Sequence, residues 1–189
     1  MSSVRINDII SVDAYLEGEL VSQMKHEYIA GAVFAMVGAK NAHNMIAGNA
    51  FMAFGTRLKG HACRPFNPDT KIRIRMQGHV RFYYPDLSVI CKSNDLNESF
   101  QDQPVVIVEV LSDSTRRLDD GEKRDAYFTI PSLTHYILLE QDSPVAVVYR
   151  RADEHFGRHE FTNLADIIAI EGLGLSIPLQ ELYDGVLSN

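Results

Sequence analysis

Val105-Val106-Ile107-Val108-Glu109-Val110-Leu111 is an apolar, β-branched run broken by one carboxylate. A run this short and this apolar reads as a strand covered on both faces. A lone charge inside it is costly unless it is paired or bound to a metal. Upstream, Tyr83-Tyr84-Pro85-Asp86-Leu87-Ser88-Val89-Ile90 sets Asp86 at the head of a second such strand. Two carboxylates on adjacent core strands are either a structural expense or a metal site, and everything outward from them turns on that choice.

The 189 residues are 46% hydrophobic, enough for one domain spanning 1–189 with a real core. The apolar runs fall short of a membrane span and the N-terminus lacks the pattern of a signal peptide, so a cytoplasmic protein is expected. Cys63 and Cys91 have no clustered partners and are expected as free thiols. A net charge of -7 argues against a dedicated nucleic-acid-binding protein. Its distribution argues less clearly, because Arg57, Lys59, Arg64, Lys71, Arg73, Arg75 and Arg81 are accompanied by a single acid, Asp69.

Patterning predicts a short helix over 11–19, capped by Ser11 or Asp13, and a hairpin over 28–37 around Gly31. A longer helix is expected over 42–58, ended by Gly60. Residues 71–76 alternate, with Lys71, Arg73 and Arg75 on one face and Ile72, Ile74 and Met76 on the other, as in a half-exposed strand. The Asp86 and Glu109 strands follow, separated by a polar loop over 92–103. A helix over 119–130 stops at Pro131. Strands at 135–139, 145–151 and 158–162 and a terminal turn at 179–183 complete the chain. The order indicates an α/β domain, a central mixed sheet flanked by helices with an added N-terminal helix and hairpin.

Phosphodiester hydrolysis needs an activated water, neutralised phosphate charge and help for the leaving oxygen. Divalent ions held by carboxylates supply all three. Magnesium keeps several waters, so one or two carboxylates and a backbone carbonyl suffice. Pro85-Asp86 followed by Glu109 in an apolar strand resembles the PD-(D/E)XK nuclease signature. More narrowly, His26-Glu27-Tyr28-Ile29-x-Gly31, His43-Asn44, Tyr83-Tyr84-Pro85-Asp86, Val108-Glu109-Val110-Leu111-Ser112 and Gly121-Glu122-Lys123 resemble the Uma-two family of restriction-endonuclease-like proteins, from about 12 to 186. The resemblance implies a restriction-endonuclease-like core, a Mg2+ or Mn2+ cofactor, DNA as substrate and a homodimer. It makes Asp86, Glu109 and the Val110 carbonyl metal ligands. Leu111 stands where the wider pattern has its lysine, and the matching pattern places that lysine at Lys123.

Each residue has a second reading. Asp86 also suits a strand end that bonds loop amides, and Glu109 a buried ion pair with Lys123 itself. Asp119 precedes Lys123 by four residues, the spacing of a helix-face pair worth only ~0.2–0.5 kcal/mol. Glu27 either supports the metal or pairs with Lys25, His43 either acts in the site or packs its helix, and Ser112 is a supporting residue. Lys71, Arg73 and Arg75 are either DNA phosphate contacts or a solvated face. His155 with His159, and His61 with Cys63, lack the context of a metal site. The rival functions are a catalytically silent nucleic-acid-binding protein and a structural homodimer of the same fold.

Overall fold

The computed structural model describes residues 9–112 and 116–186. In chain order the elements are α1 (Val12–Val21), β1 (His26–Ile29), β2 (Ala32–Ala35), α2 (Asn41–Arg57), β3 (Arg64–Phe66), β4 (Lys71–Met76), β5 (His79–Tyr83), β6 (Leu87–Ile90), β7 (Phe100–Gln101) and β8 (Pro104–Leu111). A π-helical turn (Leu118–Lys123) then runs into α3 (Arg124–Phe128), followed by β9 (His135–Glu140), β10 (Ala146–Ala152), β11 (His155–Phe161), β12 (Ile167–Ile170), β13 (Leu175–Pro178) and α4 (Leu179–Leu182).

Strand β8 is buried on both faces, as its composition predicts. Val106, Val108 and Val110 pack with Ile46, Ala50 and Phe54 of α2. Ile107 and Leu111 pack on the opposite face with Ile72, Ile74, Tyr127 and Tyr136. Side chains alternate along a strand, so Glu109 shares that second face and points toward α3. Tyr15, Tyr28, Phe82 and Phe100 form a third cluster that seats α1 on β1 and β5.

One central sheet was expected, and the structure has two mixed sheets and a ribbon. The orders are β2-β1-β5-β4-β7, β11-β10-β9-β8-β6-β3 and β12-β13. β8 and β9 run parallel, with Leu111 opposite Glu140, so both strands end on the same side. Strands β3, β5, β7, β12 and β13 escape periodicity because they are short or carry polar residues on both faces. The first hairpin turns through Ala30 and Gly31, both at positive φ (51° and 99°), the geometry that two-residue turns favour. Ser11 is the true cap of α1, its side chain accepting from the Ala14 N–H at 3.2 Å. The expected helix over 119–130 is broken, with Asp120 at φ -89°, ψ 23° inside a wide π turn before α3 begins. No helix among the described residues is long and apolar enough to cross a membrane.

The cysteines correct the expectation of free thiols. Arg64 of β3 pairs with Ile90 of β6, so Cys63 and Cys91, one step further on, face each other and form a disulfide. Distance along the chain concealed this pairing. The bridge closes a separation of 28 residues, and its reduction is expected to lower stability by about 3 kcal/mol. Thermal unfolding with and without reductant measures this, and coincident midpoints would refute it.

Candidate active site

Asp86 and Glu109 are locked to each other through the backbone of the paired strands. The Val110 N–H donates to Asp86 Oδ2 at 2.7 Å, and the Asp86 N–H donates to Glu109 Oε2 at 3.3 Å. Each carboxylate is thus oriented by the other residue's strand. Tyr127 of α3 donates its hydroxyl to the remaining Glu109 oxygen at 3.4 Å. His43, in the first turn of α2, sets Nε2 2.9 Å from Asp86 Oδ1.

Lys123 does reach this centre. Its Nζ lies 2.7 Å from Glu27 Oε1, 3.3 Å from Asp119 Oδ1 and 3.8 Å from Glu109 Oε1. Its side chain is 7% exposed and that of Asp119 4%, so their pairing is a buried one and the surface salt bridge is excluded. The π turn explains the geometry. It ends at Lys123 and contains Asp119, and both residues are buried. Glu27 arrives from β1 and pairs with this lysine, not with Lys25, which instead binds Asp69.

Electrostatics follow from burial. Desolvation holds the Glu109 carboxyl well above the usual range; Lys123 opposes this, while Asp119, Asp86 and Glu27 reinforce it. Burial alone would lower Lys123, but Glu109, Glu27 and Asp119 outweigh it and keep the ammonium charged. For His43, too, burial is opposed by the Asp86 hydrogen bond and charge, and the net shift is upward. Burial, then the Glu109 charge, raises the Tyr127 hydroxyl far above its ordinary value, so it stays a donor.

These groups border a cleft of about 480 Å³. Asp86, Glu109, Val110, Ser112, Asp119 and Lys123 line it, together with His43, Lys25 and Lys40. Asp119 and Gln141, also on the wall, were not singled out as site residues from sequence. Its spacing marks Asp119 as a salt-bridge partner of Lys123, and Gln141 opens the turn-like Gln141-Asp142-Ser143-Pro144 between β9 and β10. The available signal for Asp119 was the i, i+4 spacing that places it on the Lys123 face.

The basic strand lies apart from the centre. Lys71 is buried, with its ammonium 5.4 Å from the centroid of the Tyr84 ring. Arg73 makes a bidentate contact with Asp102 at 2.7 Å for both bonds and lies over the Phe100 ring. Arg75 is largely exposed. The alternation is as expected, but the face is not a row of free cations.

The sequence model of the Uma2 family, described as "putative restriction endonuclease", matches residues 12–180. The chain belongs to this family. An uncharacterized protein of Synechocystis is 31% identical over 178 residues, covering 94% of this chain and 93% of that protein. A second from the same organism is 28% identical over 144 residues, covering 75% and 80%. A crystal structure titled as a putative nuclease belonging to DUF820 from Anabaena variabilis superposes with a TM-score of 0.71. It is 17% identical and covers 88% of this chain and 93% of that one, so the likeness is one of fold.

Proposed function

We propose that this Uma2 chain is a metal-dependent endonuclease that hydrolyses DNA phosphodiester bonds on a restriction-endonuclease-like core. The observation that carries the reading is the reciprocal Asp86–Glu109 lock beside a buried lysine on a cleft wall. The donor set suits a hard cation. Glu27, Asp86, Glu109 and Asp119 supply four carboxylates against one ammonium. Asp119 Oδ1 faces the Lys123 ammonium at 3.3 Å. Among the described residues no three such groups are already arranged around one point. Mg2+ or Mn2+ needs few protein ligands and keeps its waters, so two carboxylates and a backbone carbonyl would suffice.

Asp86, Glu109 and the Val110 carbonyl would hold the cation. When bound, it would neutralise phosphate charge and acidify a water. Lys123 contributes a fixed positive charge that stabilises the phosphoryl oxygens as charge builds on them. Glu27 and Asp119 keep this ammonium protonated and aimed. His43 orients Asp86, and Tyr127 orients Glu109. Ser112 supports the wall beside Val110.

The silent-binder reading requires a free basic face, and Arg73 is already committed to Asp102. Arg75, which is largely exposed, and the cleft-lining Lys40 are better candidates for DNA phosphate contacts. The proposed assembly is a homodimer, and the proposed setting is cytoplasmic, where cellular reductants would compete with the Cys63–Cys91 bridge. Exposed Leu20, Val21, Phe34 and Val37 provide apolar surface that a second copy could cover.

The direct test incubates supercoiled plasmid, linear duplex and single-stranded oligonucleotide with Mg2+ or Mn2+. Cleavage that stops on chelation is expected. The cation should also stabilise the fold, by about 2.7 kcal/mol at a hundredfold excess over its Kd. Absence of metal-dependent cleavage on all three substrates refutes the proposal.

A further inference from the structure

Gln141 follows the last residue of β9 and lies beside Ser112, one step past the Leu111–Glu140 register. It is 3% exposed, yet it borders the cleft that holds Glu109, Asp119 and Lys123. Its Nε2 lies 3.3–3.4 Å from the neighbouring Asp142 carboxylate, and its Oε1 has no protein partner. A buried acceptor left unpaired is costly, and an apolar residue of similar volume would avoid that cost. Gln141 therefore calls for a partner, and a turn of its side chain toward the cleft it borders would bring Oε1 to one.

The chemistry of the wall restricts that partner to a donor. Carboxylates already crowd the centre, and another would repel a phosphodiester. A neutral amide carbonyl adds an acceptor without adding charge. Within this cleft, the donor a hydrolytic reaction requires is the attacking water.

We propose that Gln141 is a positioning residue, its Oε1 accepting a hydrogen bond from the water that attacks the phosphorus. The inference rests on the hydrolytic reading above. The carbonyl takes no proton. The water oxygen forms the new bond to phosphorus, the bond to the departing oxygen breaks, and the water's proton passes through solvent to that oxygen. Gln141 fixes the direction of attack while Lys123 offsets charge on the phosphoryl oxygens.

Gln141→Met and Gln141→Glu test this. Unfolding midpoint, Mn2+ affinity by calorimetry, and kcat and KM on plasmid and single-stranded DNA are read for each. Gln141→Met is expected to keep or raise the midpoint and to leave Mn2+ affinity unchanged. It should lose at least about tenfold in kcat at constant KM. Gln141→Glu keeps an acceptor but adds the charge that repels a phosphodiester, and should raise KM where Gln141→Met does not. A Met variant with wild-type kcat, or one with a lowered midpoint, overturns the inference alone. A wild-type protein that binds Mn2+ but cuts neither substrate overturns the hydrolytic proposal, and this inference with it.

Discussion

Asp86→Ala and Glu109→Ala should each abolish metal-dependent cleavage, with a loss of at least about 10³-fold. Removing one ligand forfeits several kcal/mol of transition-state stabilisation, and each 1.36 kcal/mol is about tenfold in rate. The strand lock makes the two losses non-additive. Asp86→Ala frees the Val110 N–H, and Glu109→Ala removes the acceptor of the Asp86 N–H. Residual activity equal in both variants and in wild type would identify a contaminant and defeat the assignment.

Glu109→Gln separates chemistry from stability in the same experiment. The carboxyl of Glu109 is raised well above 4.5 by burial, so the folded state holds a proton that the unfolded chain has released. Stability of the metal-free protein should therefore fall as pH climbs from the ordinary carboxylate range through the raised value, and then level off. Glu109→Gln mimics the protonated form and should flatten that slope, remaining more stable than wild type above the window. It should still fail to cut.

Lys123→Met should be the most damaging substitution for the fold. It strands Glu27, Glu109 and Asp119 in the interior without their shared cation. Removing one partner of a buried pair costs about 3–5 kcal/mol. At roughly 2–4 °C per kcal/mol for a chain of this size, the unfolding midpoint should drop by roughly 10 °C. The deficit should shrink on acidification, because the orphaned carboxylates can then take up protons. A midpoint within about 2 °C of wild type would mean that Lys123 contributes no more than an exposed helix pair.

Legibility from sequence followed the strength of the physical signal. Glu109 stood out because one charge in a β-branched run violates the pattern of a doubly covered strand. Asp86 followed from its place at the head of the next strand. Lys123 was traced from the family motif, but its burial was invisible because the π turn is not written in helical spacing. Gln141 was hidden by its own composition. A turn-like Gln-Asp-Ser-Pro gives no hint that the first side chain folds inward. The Cys63–Cys91 bridge depended on the pairing of β3 with β6, and a three-residue strand carries too little period to be seen.

The reciprocal hold between Asp86 and Glu109 belongs wholly to the sheet, whereas Lys123 arrives on a separate helical segment. On the proposed mechanism, affinity for the ion and speed of turnover would therefore be set largely by different pieces of the chain. A change confined to the turn that carries Lys123 would slow the reaction more than it loosens the ion, whereas a change in the strands would weaken both. If the proposed mechanism holds, turnover could thus be lowered through the Lys123 turn alone, which would make a reversible off-state mechanically accessible with the cation still bound.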